Sequence, residues 1–254
     1  IWDIGSYPQA IDDHVVISNE TVHGPWNGGR SIALNVGATV GVVRTLGTTT
    51  NLPWPSIDQA GATLHFQSSD GLARIIGAGM NAGSWQLAVQ CRMKLLSALE
   101  VLVLSNKQTI FASSVNALEG ASNIYLRNRT PSVYSLVVNL GPCTGFTGEV
   151  HVEGAVSYAG ETLLYSATNA LVVIEPGGRI QIPSFVSNIG TRLVMRSGST
   201  INCAVNNSIN LRSPVEIHGD VTNAAWEWSP QAPFTLYGDI SGTGTIHRSP
   251  FSYN

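Results

Sequence analysis

Apolar and polar residues alternate along most of this chain in short runs, separated by Gly, Asn, Ser or Pro. Ala62-Thr63-Leu64-His65-Phe66, Val150-His151-Val152, Ile180-Gln181-Ile182 and Val215-Glu216-Ile217 each set a polar residue between apolar ones. A period of two puts one face of a strand in a core and the other in solvent. Helical spacing appears over Met93, Leu96, Leu99 and Val103. The overlapping run Val101-Leu102-Val103-Leu104 reads as a buried strand, and its neighbours alternate with period two, so strand is expected there as well.

The apolar centres recur every 6 to 15 residues or so, which is the all-β regime. That spacing suits a β-sandwich or a solenoid. Three features favour a solenoid. The strands look only about three to five residues long. Hairpin dipeptides between neighbouring strands are scarce, Asp70-Gly71 excepted. A small-small-apolar element recurs at Gly37-Ala38-Thr39-Val40, Gly61-Ala62-Thr63-Leu64, Gly120-Ala121-Ser122-Asn123-Ile124 and Gly198-Ser199-Thr200-Ile201. In a solenoid such a Gly turns the corner, and the next apolar residue points onto its counterpart in the following coil. The expected fold is therefore an all-β, parallel β-solenoid of short strands, with a β-sandwich as the alternative. Residues 1–55 hold Trp2, Trp26, Trp54 and the prolines Pro8, Pro25, Pro53 and Pro55, and alternate less cleanly. They are expected to form an N-terminal cap or an exchange arm, with the solenoid over residues 56–254.

Composition narrows the partners. Hydrophobic residues make up 43% of the 254, while charged residues make up 11%, against about 25% in an ordinary soluble domain. The net charge is −3 and no basic stripe is visible, which argues against nucleic acid. No run of 18 apolar residues occurs, so no membrane-spanning helix is expected. The first residue is Ile1, not a methionine, as after removal of a signal peptide. Cys91, Cys143 and Cys203 allow at most one bridge and match no metal spacing, so buried thiols are expected and the disulfide state stays open.

Phe146-Thr147-Gly148-Glu149-Val150-His151-Val152-Glu153-Gly154 and Ile240-Ser241-Gly242-Thr243-Gly244-Thr245-Ile246 resemble two elements of autotransporter-associated β-strand repeats. Leu118-Glu119-Gly120-Ala121-Ser122-Asn123-Ile124-Tyr125-Leu126 is a looser copy of the second element. The resemblance covers residues 61–248 and implies a secreted or surface-displayed bacterial β-solenoid. It departs from the family in lacking a translocator barrel or a hydrophobic sorting helix after the repeats, which suits a free-standing secreted subunit.

Catalytic signatures are missing: no Gly-x-Ser-x-Gly, His-Glu-x-x-His or phosphate loop occurs. His65, His151, His218 and His247 fall in polar strand slots and are expected to face solvent. Asp12-Asp13-His14 reads as a solvated turn before Val15-Val16-Ile17. Glu149 and Glu153 share a strand face about 13 Å apart, too far for a glycosidase pair. Asn19-Glu20-Thr21, Asn128-Arg129-Thr130 and Asn206-Asn207-Ser208 include sequon-like triplets of no expected function. No cofactor or metal is expected. The candidate contact residues are Trp2, Trp26, Trp54, Trp226, Trp228, Phe251 and Tyr253, since Trp and Tyr anchor interfaces. The expected function is an extracellular, non-enzymatic structural subunit that self-assembles with its own copies into a filament, tube or surface appendage. The alternatives are an adhesin that binds surface glycan and a polysaccharide-active β-helix enzyme.

Overall fold

The computed structural model describes residues 8–18, 31–34, 36–47, 56–59, 61–79, 87–89, 91–104, 109–111, 118–130, 136–138, 145–158, 170–182, 185–187, 191–203, 209–224 and 234–249. Within them the protein is all β, with strands of two to eight residues and no helix.

The strands stack into parallel sheets that run the length of the molecule. The first sheet has ten strands, from His14–Ser18 to Ile240–Gly242, and the second has ten, from Ser31–Leu34 to Thr245–Ser249. The third side is split. Five strands from Ala38–Val40 to Gly145–Phe146 form one sheet, and Phe185–Ser187, Ile209–Leu211 and Phe234–Leu236 form another. Every ladder is parallel, which excludes the β-sandwich alternative, whose sheets are antiparallel. The chain is a parallel β-solenoid.

Its core is a set of in-register columns. On the first sheet one inward column runs Val15, Val43, Ile75, Val101, Leu126, Val152, Ile174, Met195, Ile217, Gly242. Beside it runs Ala73, Leu99, Ile124, Val150, Val172, Leu193, Val215, Ile240. From Ala73 to Val215 each residue of this second column is at most 3% exposed. β-Branched and γ-branched side chains suit such a stack, because each methyl packs on its counterpart one strand away.

The corners explain the recurring glycines. Gly61, Gly120 and Gly198, three of the four in the repeated element, have positive φ. At Gly120 a Cβ would sit 2.5 Å from the Leu95 carbonyl oxygen of the previous coil, so only glycine fits there. The ambiguous stretch after Cys91 is two strands, Arg92–Leu95 and Ala98–Val103, with Leu96 exposed at the corner between them. Cys91 is a buried, unbridged thiol.

The segment 1–55, expected as a cap or exchange arm, contributes four strands to the same sheets: His14–Ser18, Ser31–Leu34, Ala38–Val40 and Val42–Gly47. Asp12, at φ 69°, ties this first coil to the next. Its Oδ1 lies 2.6 Å from Ser68 Oγ and accepts the Ser69 N–H at 2.9 Å. The acidic pair before the first strand is thus a link between coils and not merely a solvated turn.

Leu126 sits mid-column at 1% exposure. Leu126→Ala should lower stability by about 2–5 kcal/mol in urea unfolding. Val16→Ala, on an exposed outward position of the first strand, should change it by no more than about 0.5 kcal/mol. Equal losses would mean the columns are not the core.

Candidate functional site: the polar face of the first sheet

The register that stacks the core also stacks the outward residues of the first sheet. Arg74, Glu100, Tyr125, His151, Val173, Val194, Glu216 and Ser241 form one outward column. The neighbouring column brings Leu102, Arg127 and Glu153 into line. Charges of opposite sign consequently meet across coils.

A five-membered ion ladder results. Asp70 Oδ2 pairs with Arg74 Nη2 at 2.9 Å, and Arg74 Nε reaches Glu100 Oε2 at 3.4 Å. Arg127 Nη1 donates to Glu100 Oε1 at 2.6 Å. Its Nε and Nη2 grip Glu153 Oε2 and Oε1 at 2.7 and 3.1 Å in a two-point fork. The guanidinium carbon also lies 5.2 Å from the Tyr125 ring centre, within cation–π range. Glu153 first and Glu100 second hold the Arg127 proton even more firmly than in a free guanidinium. The Glu100 side chain is only 10% exposed, so both arginines are needed to offset its desolvation.

A second group centres on His151. Its ring stacks on Tyr125 with centres 5.0 Å apart and 22° between planes. Nδ1 lies 2.8 Å from Glu175 Oε1, whose other oxygen meets Arg196 Nε at 3.2 Å. Glu149 Oε2 is 3.0 Å from Nε2 but makes no hydrogen bond with it. The expectation that His151 faces solvent is corrected: the slot points outward, but Tyr125 and the two glutamates leave its side chain 12% exposed. His218 and His247 are exposed, beside Glu216 and Asp220. His65 is half-buried.

Beyond this face lies an open notch of about 450 Å³ at the corner between the first and second sheets. It is lined by Asn128, Arg129, Glu153, Gly154, Glu175, Pro176 and Gly177. Unequal corners make it. Glu149–Glu153 turns into Ala155–Tyr158 through Gly154 alone, at φ 126°, where a Cβ would lie 2.5 Å from the Asn128 carbonyl oxygen. The coil after it takes four residues, from Glu175 to Gly178, for the same corner. Asn128 is buried; its Nδ2 donates to Ala155 O at 2.7 Å and its Oδ1 accepts from Thr130. This sequon-like triplet is a structural corner.

Every carboxylate named on this face already has a cationic partner or a histidine. Glu149 and Glu153 stand in one strand, each in a different cluster. Trp2, Trp26, Trp54, Trp226, Trp228, Phe251 and Tyr253, the contact residues expected from sequence, lie outside the described residues. Among the described residues no helix is long and apolar enough to cross a membrane. Phe146–Gly154 spans the third-side strand and corner leading into Glu149–Glu153, and Ile240–Ile246 spans the last corner. The protein is thus, by class, a parallel β-solenoid with an ion-paired outer face. No protein-family model, curated protein or solved structure matches the chain.

Two predictions follow from the charges. Glu100→Gln leaves Arg74 and Arg127 facing a neutral group and should cost about 1–3 kcal/mol in urea unfolding. Glu216→Gln, whose partners Arg192 and His218 are half exposed, should cost less than about 1 kcal/mol. Separately, the Ser68 hydroxyl, then the Leu72 N–H and Arg74, lower the Asp70 pKa to about 2, and Ser68 lowers Asp12 as well. A carboxylate with a depressed folded-state pKa stabilises the fold above its ordinary value near 4, and that contribution fades as pH falls toward 2. In Ser68→Ala the Asp70 carboxyl should titrate closer to its ordinary value by NMR, and acid unfolding should begin at higher pH. An unchanged Asp70 titration would show that Ser68 is not the cause.

Proposed function

We propose that the chain is an extracellular, non-enzymatic structural subunit that stacks end to end with copies of itself. The observation that carries this reading is Ile240. It ends a column whose preceding members, from Ala73 to Val215, are at most 3% exposed, yet it is itself 57% exposed. Among the described residues no strand pairs with the other edge of Ile240–Gly242, and a further coil in the same register would cover Ile240.

The other exposed apolar residues support the same reading. Large exposed hydrophobics among the described residues are Ile11, Val16, Val36, Leu96, Leu104, Tyr237 and Ile240. Ile11, Val16 and Val36 belong to the first coil, and Tyr237 and Ile240 to the last. Apolar residues left exposed in both end coils favour an interaction surface there. Each end strand of the first sheet, His14–Ser18 and Ile240–Gly242, pairs with only one other described strand, which leaves an edge for strand addition. The two ends carry different residues, so a contact between them is head to tail and extends without closing into a filament. The ion ladder supports a structural role for the outer face, since its carboxylates pair with arginines of neighbouring coils. Low charge and the likeness to secreted repeats support an extracellular setting.

The test is sedimentation and negative-stain electron microscopy over a concentration series. Wild-type protein should form filaments whose length grows with concentration. Ile240→Lys, at an exposed position, should keep its unfolding midpoint and need roughly tenfold more protein to assemble, as expected for about 1.4 kcal/mol of lost apolar burial. Monodisperse wild-type monomers at all concentrations would sink the proposal.

A further inference from the structure

The notch at the corner between the first two sheets has a use that end-to-end stacking leaves open. Its volume of about 450 Å³ lies within the range of small-molecule sites. One cation and two anions line it, and they differ in availability. Arg129 is exposed and has no ion-pair partner among the described residues. Its backbone is pinned between the buried residues Asn128 and Thr130, and its N–H donates to the Val103 carbonyl at 2.9 Å. Its five guanidinium donors therefore project from a fixed point.

Glu153 and Glu175 are held rigid by their pairs and still have capacity. A carboxylate offers about four lone-pair sites. Arg127 takes two from Glu153; His151 and Arg196 take one each from Glu175. Two pre-positioned acceptors beside a guanidinium with no ion-pair partner among the described residues favour a ligand that carries both an acid group and hydroxyl donors. A bare anion would be repelled by the glutamates, and a neutral polyol would leave Arg129 unused. The notch is open to solvent rather than enclosed.

We propose that this notch binds one acidic sugar unit of a polysaccharide, with Arg129 on the acid group and Glu153 and Glu175 accepting its hydroxyls. The acid group is a carboxylate or a sulfate.

The full chain would be titrated by calorimetry with oligogalacturonate, a sulfated oligosaccharide, a neutral oligogalactoside and inorganic sulfate. At least one acidic oligosaccharide should bind with a dissociation constant on the order of a millimolar. The response to the first two probes tells carboxylate from sulfate. Arg129→Ala should weaken that binding about tenfold or more, as for loss of a charge-assisted contact, with the unfolding midpoint unchanged. Gly177→Asn keeps every charge and adds a side chain to the lining of the notch. A Cβ there meets nothing within 4 Å, and Asn tolerates the φ of 77°. It should weaken binding as well. The inference fails if Arg129→Ala or Gly177→Asn binds like the parent protein. It fails equally if the neutral oligosaccharide or inorganic sulfate binds as tightly as the acidic one, or if no oligosaccharide binds at about ten times the expected constant.

Discussion

Everything in this molecule depends on one constraint: coil after coil must bring an apolar side chain back onto the columns of the first sheet. Parallel pairing has no hairpin to set its register, so the columns themselves set it. A slip of one residue would turn every aliphatic side chain of that coil outward and Arg74, Glu100, Tyr125 or His151 inward. Corners are free to vary as long as that return is met. They do vary: Gly154 alone turns one coil, and four residues after Ile174 turn the next.

The ion ladder is a consequence of the same register and not an independent design. Residues 26 or 27 apart, such as Glu100 and Arg127 or Arg127 and Glu153, touch because their strands are locked by Val101, Leu126 and Val152. The energetic weight then follows exposure. Glu100, almost covered, is committed to its two arginines, whereas Glu216 faces half-exposed partners and contributes little. Opposite charges at successive coils also penalise a shifted register, since a slip would set them against apolar neighbours. The few charges of this chain thus reinforce what the core already specifies.

This division explains what was legible in the sequence. Strand positions were, because alternation is local: Val150-His151-Val152 and Val215-Glu216-Ile217 lie in strands. The glycine corners were too, at Gly61, Gly120 and Gly198, since a positive φ restricts residue choice. The coil period was not. Along the column from Val15 to Gly242 the step is 28, then 32 residues, then 25 or 26, then 21 or 22, and 25 at the last coil. Corners absorb the difference, so no fixed repeat is left for self-comparison to find. The contacts of His151 were hidden for the same reason. Glu175 is 24 positions away, and only the coil length of that one turn brings it to the ring. The notch depends on Gly154 being a one-residue corner beside longer ones, a relation between coils that no single segment displays.

A ladder of this kind has no intrinsic last step, and that distinguishes it from a closed sheet. A barrel consumes both edges by joining them; a stack of parallel coils keeps one at each end. Val15, in the first coil, is covered to 6% exposure, while Ile240, in the last, is left open at 57%. Both ends also expose apolar side chains, Ile11 and Val16 at the first and Ile240 at the last, but the residues differ. In the proposed head-to-tail assembly such a difference would give the stack a direction, with an incoming coil seated on Ile240 in the register already set by Val215. The interior columns and the proposed assembly contact would then be the same interaction, made within one chain in the first case and between two in the second.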